Sequence, residues 1–207
     1  MGDLESTAGN NVAAQKHYND AIAKFEEKGD SLGQAHVLLT LGDLQRRLGD
    51  YVEAKKSYDE SQAKYSRANN DLGQAQAYNG LGDLASEQKN YPVARAHYGK
   101  ALQLANDKSP IVKANILMSL GTLEFLLGNH KDANDRYQEA DLIYDLQNHQ
   151  LGMARIQRKL GDLEKTKGRQ DVADEHYAKA EKLFLDMEMK QEASNIRRLR
   201  SSLKDPR

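Results

Sequence analysis

The chain repeats itself about every 40 residues, and this period limits its possible folds more than any other feature. Leu41-Gly42-Asp43-Leu44 recurs as Leu81-Gly82-Asp83-Leu84, Leu120-Gly121-Thr122-Leu123 and Leu160-Gly161-Asp162-Leu163, at a spacing that varies by no more than one position. A second ladder runs in step: Ala14, Ala54, Ala94, Ala133 and Ala173. One helical turn after each comes a tyrosine (Tyr18, Tyr58, Tyr98, Tyr137, Tyr177), and after that a small residue (Ala21, Ser61, Ala101, Ala140, Ala180). A third ladder is Ala35, Ala75, Ala114, Ala154 and Ala193. Three ladders in one period describe a single unit copied along the chain. A unit with one apolar face buries it only against its neighbours.

Each unit reads as two helices. In the first complete one, Ala35, Leu38, Leu41, Gly42, Leu44 and Leu48 fall at i, i+3, i+4 spacings on one face. Gly49-Asp50 breaks the pattern, as do Gly9-Asn10, Lys89-Asn90, Gly128-Asn129 and Gly168-Arg169. The second helix then carries Tyr51, Ala54, Tyr58, Ser61 and Tyr65. Asn69-Asn70-Asp71 ends it and caps the next helix, and Ser109-Pro110 is the start signal of the third unit. The step between the two alanine ladders is identical within every unit: Ala35 to Ala54, Ala75 to Ala94, Ala114 to Ala133, Ala154 to Ala173. Between units it varies by one position, as Ala94 to Ala114 is shorter than Ala54 to Ala75. Length variation is therefore expected in the turns near Asp107-Lys108 and Met189-Lys190. Gly42 and its equivalents let the helices approach closely. The ladder tyrosines are expected to fill gaps between units, with the hydroxyl reaching water.

These residues resemble the tetratricopeptide repeat family: Leu-Gly in the first helix, then Ala, a large aromatic and a small residue in the second. The resemblance covers essentially the whole chain. It implies an all-α fold, a right-handed α-solenoid (superhelix) of antiparallel helix pairs. The family's usual period is shorter, so about six extra residues are expected in each second helix. The usual first-helix aromatic survives as Tyr78 and is replaced by Leu38, Leu117 and Gln157. The long period is similar to that of kinesin light chains, of adaptors carrying GoLoco motifs, and of several bacterial regulators. The expected organisation is one array over 1–207: a partial unit at 1–29, complete units at 30–69, 70–107, 108–148 and 149–189, and a capping helix at 190–207. Gly2-Asp3-Leu4 is in register with Gly42-Asp43-Leu44, so the chain is expected to begin midway through a first helix, as a segment of a longer protein would. In the capping helix, Arg197, Arg198 and Arg200 are expected to face solvent.

Composition narrows the function. Thirty Lys plus Arg against 31 Asp plus Glu leave a net charge of −1, which argues against a dedicated nucleic-acid binder. The absence of cysteine excludes a disulfide scaffold, a thiolate metal site and a cysteine nucleophile. There is no apolar run long enough to span a bilayer, so no membrane span or membrane partner is expected. Met1-Gly2-Asp3-Leu4-Glu5 is acidic where a secretory leader is basic, which fits a cytoplasmic chain. No phosphate loop, dinucleotide fingerprint, zinc-protease helix or nucleophile elbow is present, so neither an enzyme nor a cofactor is expected. His17, His97 and His176 each precede a ladder tyrosine and are expected on the solvent side rather than as metal ligands.

The resemblance implies that first helices line a concave surface where a protein or peptide partner binds. A second stripe on each first helix supplies the candidate groove: His36, Leu39 and Asp43, followed by Arg46; Gln76, Asn79 and Asp83, followed by Ser86; Asn115, Met118, Thr122 and Phe125; Arg155, Arg158, Asp162 and Lys165. The stripe is polar and acidic early, apolar in the third unit and basic in the fourth. Asp is a weak helix former, so its recurrence in mid-helix needs a reason. Asp43 has Arg46 and Arg47 one turn on, and Asp162 has Lys165, whereas Asp83 has Ser86 and Glu87. That contrast makes Asp83, with Asn79, the favoured ligand contact. Leu39 and Asp43 stand where the family's carboxylate clamp needs other residues, which argues against a chaperone tail. Arg155, Arg158, Lys159 and Lys165 offer a basic cluster, and Met118, Phe125 and Leu126 an apolar anchor. The expected role is a non-catalytic interaction module. The alternatives are the sensing region of a larger signalling or transcription-control protein, and an array that self-associates through exposed terminal repeats.

Overall fold

A short turn, repeated at a fixed interval, organises the chain. The computed structural model describes residues 10–105 and 109–203, which form ten α-helices and no strand. In chain order these are α1 Asn11–Glu27, α2 Ser31–Leu48, α3 Tyr51–Arg67, α4 Asp71–Glu87, α5 Tyr91–Leu104, α6 Pro110–Leu126, α7 His130–Leu146, α8 Gln150–Thr166, α9 Gln170–Asp186 and α10 Lys190–Leu203. They fall into two compact units, Met1–Lys108 with α1–α5 and Ser109–Arg207 with α6–α10. Inside each unit every helix packs against the next in the chain. In addition α2 touches α4, and α6 touches α8. The expected start midway through a helix at Gly2-Asp3-Leu4, and the break at Gly9-Asn10, lie outside the described residues.

The turns share one backbone geometry. Gly29, Gly49, Asn69, Lys89, Gly128, Asn148, Gly168 and Glu188 all have positive φ, between 50° and 84°. Within each unit the interval from one to the next is constant, half of the sequence repeat. The chain folds back on the last helical carbonyls, as where Gly49 N–H donates to Arg46 O (3.0 Å) and Asp50 N–H to Gln45 O (2.9 Å). Glycine takes this conformation without a Cβ penalty, and asparagine is the side chain that tolerates it best. Side-chain capping then starts three of the first helices. Asp30, Asn70 and His149 accept from the amides of Gly33, Gly73 and Gly152, respectively. Ser109 precedes Pro110 as expected but makes no side-chain cap bond.

Helices of a pair run antiparallel. Along α3, Ser57 Oγ donates to Gln45 Oε1 (2.7 Å), Tyr58 OH to Asp43 (2.6 Å) and Ser61 Oγ to Ala35 O (2.7 Å). Moving forward on α3 therefore moves backward on α2. The ladder glycines mark where the two touch: a Cβ on Gly42 would lie 2.8 Å from the Tyr58 ring, and one on Gly121 2.6 Å from Tyr137. The tyrosine thus fills the space inside its own pair, not only the gap between units. Tyr58 does both, since a Cβ on Gly80 of the following pair would stand 2.5 Å from the same ring. A second glycine set joins successive pairs. Gly33, Gly73 and Gly152 receive the rings of Phe25, Tyr65 and Tyr144 from the preceding helix.

Three further expectations are corrected. The extra residues of the long period do not lengthen the second helix alone, because α2 has 18 residues and α3, α4, α7, α8 and α9 have 17 each. The turn before Lys190 is as long as the others, so the residue missing from the alanine ladder is lost inside α10. Ala193 lies three residues after its helix start, whereas Ala154 lies four after its own. Of the α10 arginines, Arg197 is exposed as expected, but Arg200 is half-buried. Arg200 forks onto Asp174 (2.8 and 3.0 Å) and reaches Glu181 (3.0 Å), and Arg197 also binds Glu181 (2.8 Å). Burial alone would raise the Glu181 carboxyl; the hydrogen bonds from Arg200 and Arg197 outweigh it and hold it below the usual range. Arg198 is exposed.

Candidate functional site

The second unit carries a cleft of about 270 Å³. Helix α6 contributes Met118, and α8 contributes Leu151, Arg155, Arg158 and Lys159. Phe184 of α9, Met189 of the turn, and Glu192, Asn195 and Ile196 of α10 close it. The helix phase explains the grouping. Arg155 lies four residues after Leu151, and Arg158 and Lys159 lie three and four after Arg155, which puts all of them along one side of α8. Ile196 is buried, while Arg155 and Arg158 are exposed at the rim.

Of the fourth-unit stripe, Arg155 and Arg158 reach the cleft; of the third-unit stripe, Met118 does. Asn115 accepts a 2.6 Å bond from Tyr144 OH, Thr122 accepts from Tyr137 OH (3.2 Å), and Phe125 leans on the His130 ring (5.8 Å between centroids). Lys165 bonds Ser202 (3.2 Å), and Leu126 is exposed at the end of α6. Of the three residues expected to form an apolar anchor, Met118 lines the cleft and Phe125 and Leu126 do not. Phe184, Met189 and Ile196 also line the cleft, and the sequence pattern singles out none of them as surface residues.

The recurrent aspartates have a partner that helix spacing does not reveal. Tyr58 OH donates to Asp43 (2.6 Å), Tyr98 to Asp83 (2.7 Å) and Tyr177 to Asp162 (2.7 Å), each 15 residues apart. The hydroxyls are not spent on water, and Asp83 is held as firmly as the others. Arg46 does not pair with Asp43; it donates to Tyr58 OH (3.3 Å) and forms an ion pair with Glu87. Arg158, one turn before Asp162, approaches it at 4.0 Å. Burial, then the neighbouring carboxylates, push the hydroxyls of Tyr58, Tyr98 and Tyr177 far up. Tyr137, which faces Thr122, is pushed to about 12, chiefly by burial. In the first unit, His36 and Gln76 are exposed, Leu39 and Asn79 half-buried, and the Asn79 carbonyl oxygen is buried with no partner.

The histidines before the ladder tyrosines are half-buried, which corrects the solvent-facing expectation. His97 stacks on Tyr78 (5.9 Å), and His176 Nδ1 meets Gln157 Oε1 at 2.8 Å. Burial lowers both from 6.5. Lys100 and Lys55 act with it at His97 against Asp59; Lys179 acts with it at His176 against Glu164, Asp141 and Glu175. The folded state therefore favours the neutral rings. Their contribution is complete above 6.5 and is lost as pH falls from 6.5 through the lowered folded values. Urea midpoints are expected to drop between pH 7 and 5.5, and a His97→Gln/His176→Gln variant is expected to flatten that drop.

Among the described residues no group of three or more His, Cys, Asp or Glu could hold a metal ion, and no helix is long and apolar enough to cross a membrane. The sequence matches the tetratricopeptide repeat family over residues 1–67 and 34–107. Together those spans cover half of the chain, and the chain belongs to this family. No curated protein sequence matches it. Among solved structures, it is similar to a Rap protein in complex with competence and sporulation factor, at 19% identity and a TM-score of 0.85, over 95% of this chain and 55% of that one. The Rap conjugation gene regulator of plasmid pLS20, in complex with the Phr* peptide, gives 17% and 0.62, over 83% of this chain and 53% of that one. BtubC from P. vanneervenii gives 15% and 0.68, over 93% of each chain. The chain thus spans about half the length of the Rap proteins it resembles.

Proposed function

We propose that the protein is a non-catalytic interaction module that holds a segment of a partner protein against its first helices. The observation that carries this reading is the second-unit cleft, where apolar and basic residues of α6, α8 and α10 meet in one concavity. An apolar floor beside polar, partly exposed side chains is the usual anatomy of a binding patch. Two similar folds support it, one complexed with competence and sporulation factor and one with the Phr* peptide. In the first unit the same reading assigns contacts to His36, Leu39, Gln76 and Asn79. Asp43, Asp83 and Asp162 serve chiefly to hold the tyrosines. The test is a selection of random peptides, long enough to cross one helix pair, on the full chain. Enriched peptides are expected to lose about tenfold in affinity with Arg158→Gln or Asn79→Ala, roughly 1.4 kcal/mol. Affinities unchanged by both would sink this reading.

A second reading treats the array as the sensing part of a larger signalling or transcription-control protein. Its support is the half-length coverage of the Rap proteins. Regions flanking this sequence in the full-length gene decide it: an adjoining effector domain is expected, and its absence rejects the reading.

A further inference from the structure

The cleft combines two kinds of recognition that the sequence pattern assigns to different repeats. Its floor is apolar, with Met118, Leu151 and Ile196. Its rim carries Arg155 and Arg158, three residues apart and so neighbours on the helix surface. A volume of about 270 Å³ exceeds the roughly 150 Å³ that holds a benzene-sized group. It falls short of the roughly 300–1,000 Å³ of sites for whole small molecules. There is room for one large side chain and a small polar group beside it.

Charge selects that polar group. Arg155, Arg158 and Lys159 outnumber the single acid, Glu192, on the opposite wall. A guanidinium offers five N–H donors in a plane that matches a carboxylate. Arg158 approaches Asp162 through Nε at 4.0 Å, and Tyr177 already occupies one oxygen of that aspartate. Arg155 and Arg158 both line the cleft and both are exposed. Glu192 repels a carboxylate on its own side, so the acid is directed to the α8 wall.

We propose that the cleft is a composite anchor for a peptide segment of another protein in which an Asp or Glu stands beside one large aliphatic side chain. The carboxylate lies on Arg155 and Arg158, and the aliphatic group fills the floor between Met118 and Ile196. This proposal rests on the binding reading above. Methyl NMR of the full chain labelled at methionine tests it, because Met118 and Met189 line the cleft and Met153 does not. The probes are acetyl-Glu-Leu-amide, acetyl-Gln-Leu-amide and acetyl-Glu-Ala-amide. The Glu-Leu peptide is expected to shift Met118 and Met189 saturably, leave Met153 unmoved, and bind about tenfold more tightly than the other two. In Arg155→Gln/Arg158→Gln protein, its affinity falls to that of the Gln-Leu peptide. Equal, saturating shifts from all three peptides overturn the anchor and leave the binding reading standing. No shift at either cleft methionine from any of them overturns both.

Discussion

Replacing Tyr58 by alanine is expected to cost the first unit about 3–5 kcal/mol, the range for deleting a buried aromatic side chain. Its ring is fully buried and lies against Gly42 of its own pair and Gly80 of the next, so the void opens at two helix contacts. Neither glycine has a side chain with which to fill it. Tyr58→Phe separates packing from bonding. It keeps the ring and removes only the donor to Asp43 and the acceptor for Arg46 Nε. Asp43 is partly exposed and water replaces the hydroxyl, so about 1 kcal/mol is expected. Urea denaturation of the three proteins checks the order. A Phe variant as damaged as the Ala variant would show that the hydroxyl network, not the ring, governs the pair.

The second large effect is expected at the other end of the chain. Arg200→Ala strips Asp174 of a two-pronged partner and leaves buried Glu181 with Arg197 alone. Breaking a fully buried pair costs about 3–5 kcal/mol. Arg200 keeps 31% of its side chain exposed and Arg197 remains, so about 2 kcal/mol is expected. The loss is local because units of this kind interact with neighbours only. Hydrogen exchange should quicken throughout α10 while α7 stays protected. Glu192, Asn195 and Ile196 form one wall of the cleft, so peptide affinity falls with it. Equal acceleration in α7 and α10 would reject this localisation.

Much of the helix architecture is legible because it is written in the smallest residues. Gly42, Gly82, Gly121 and Gly161 recur at helix-pair contacts, and the alanine ladders are buried throughout. The tyrosine–aspartate bonds are within reach of the sequence as well, since Asp43 and Tyr58, Asp83 and Tyr98, and Asp162 and Tyr177 share one separation. Helix spacing looks for partners one turn away and passes over a partner on the returning helix. The cleft is half legible. Arg155, Arg158 and Met118 carry surface phase on first helices, but the sequence pattern singles out neither Phe184 nor Ile196 as a surface residue. Their role depends on how α9 and α10 pack, and no local pattern reports that.

The left-handed turn residues also set a rule for how such a chain can change length. They recur once per helix, but first and second helices alternate, so the smallest step that restores every helix to its layer is a whole pair. Inserting or deleting one helix with its turn would send each later helix to the wrong layer, carrying the tyrosines to where the glycines belong. Duplicating a whole pair preserves every contact. The sequence is therefore editable by copying in whole pairs and resistant to editing in halves. Its departure from the beat, a stretch from Lys89 to Gly128 that falls one residue short of two helices, spans the boundary between the two compact units.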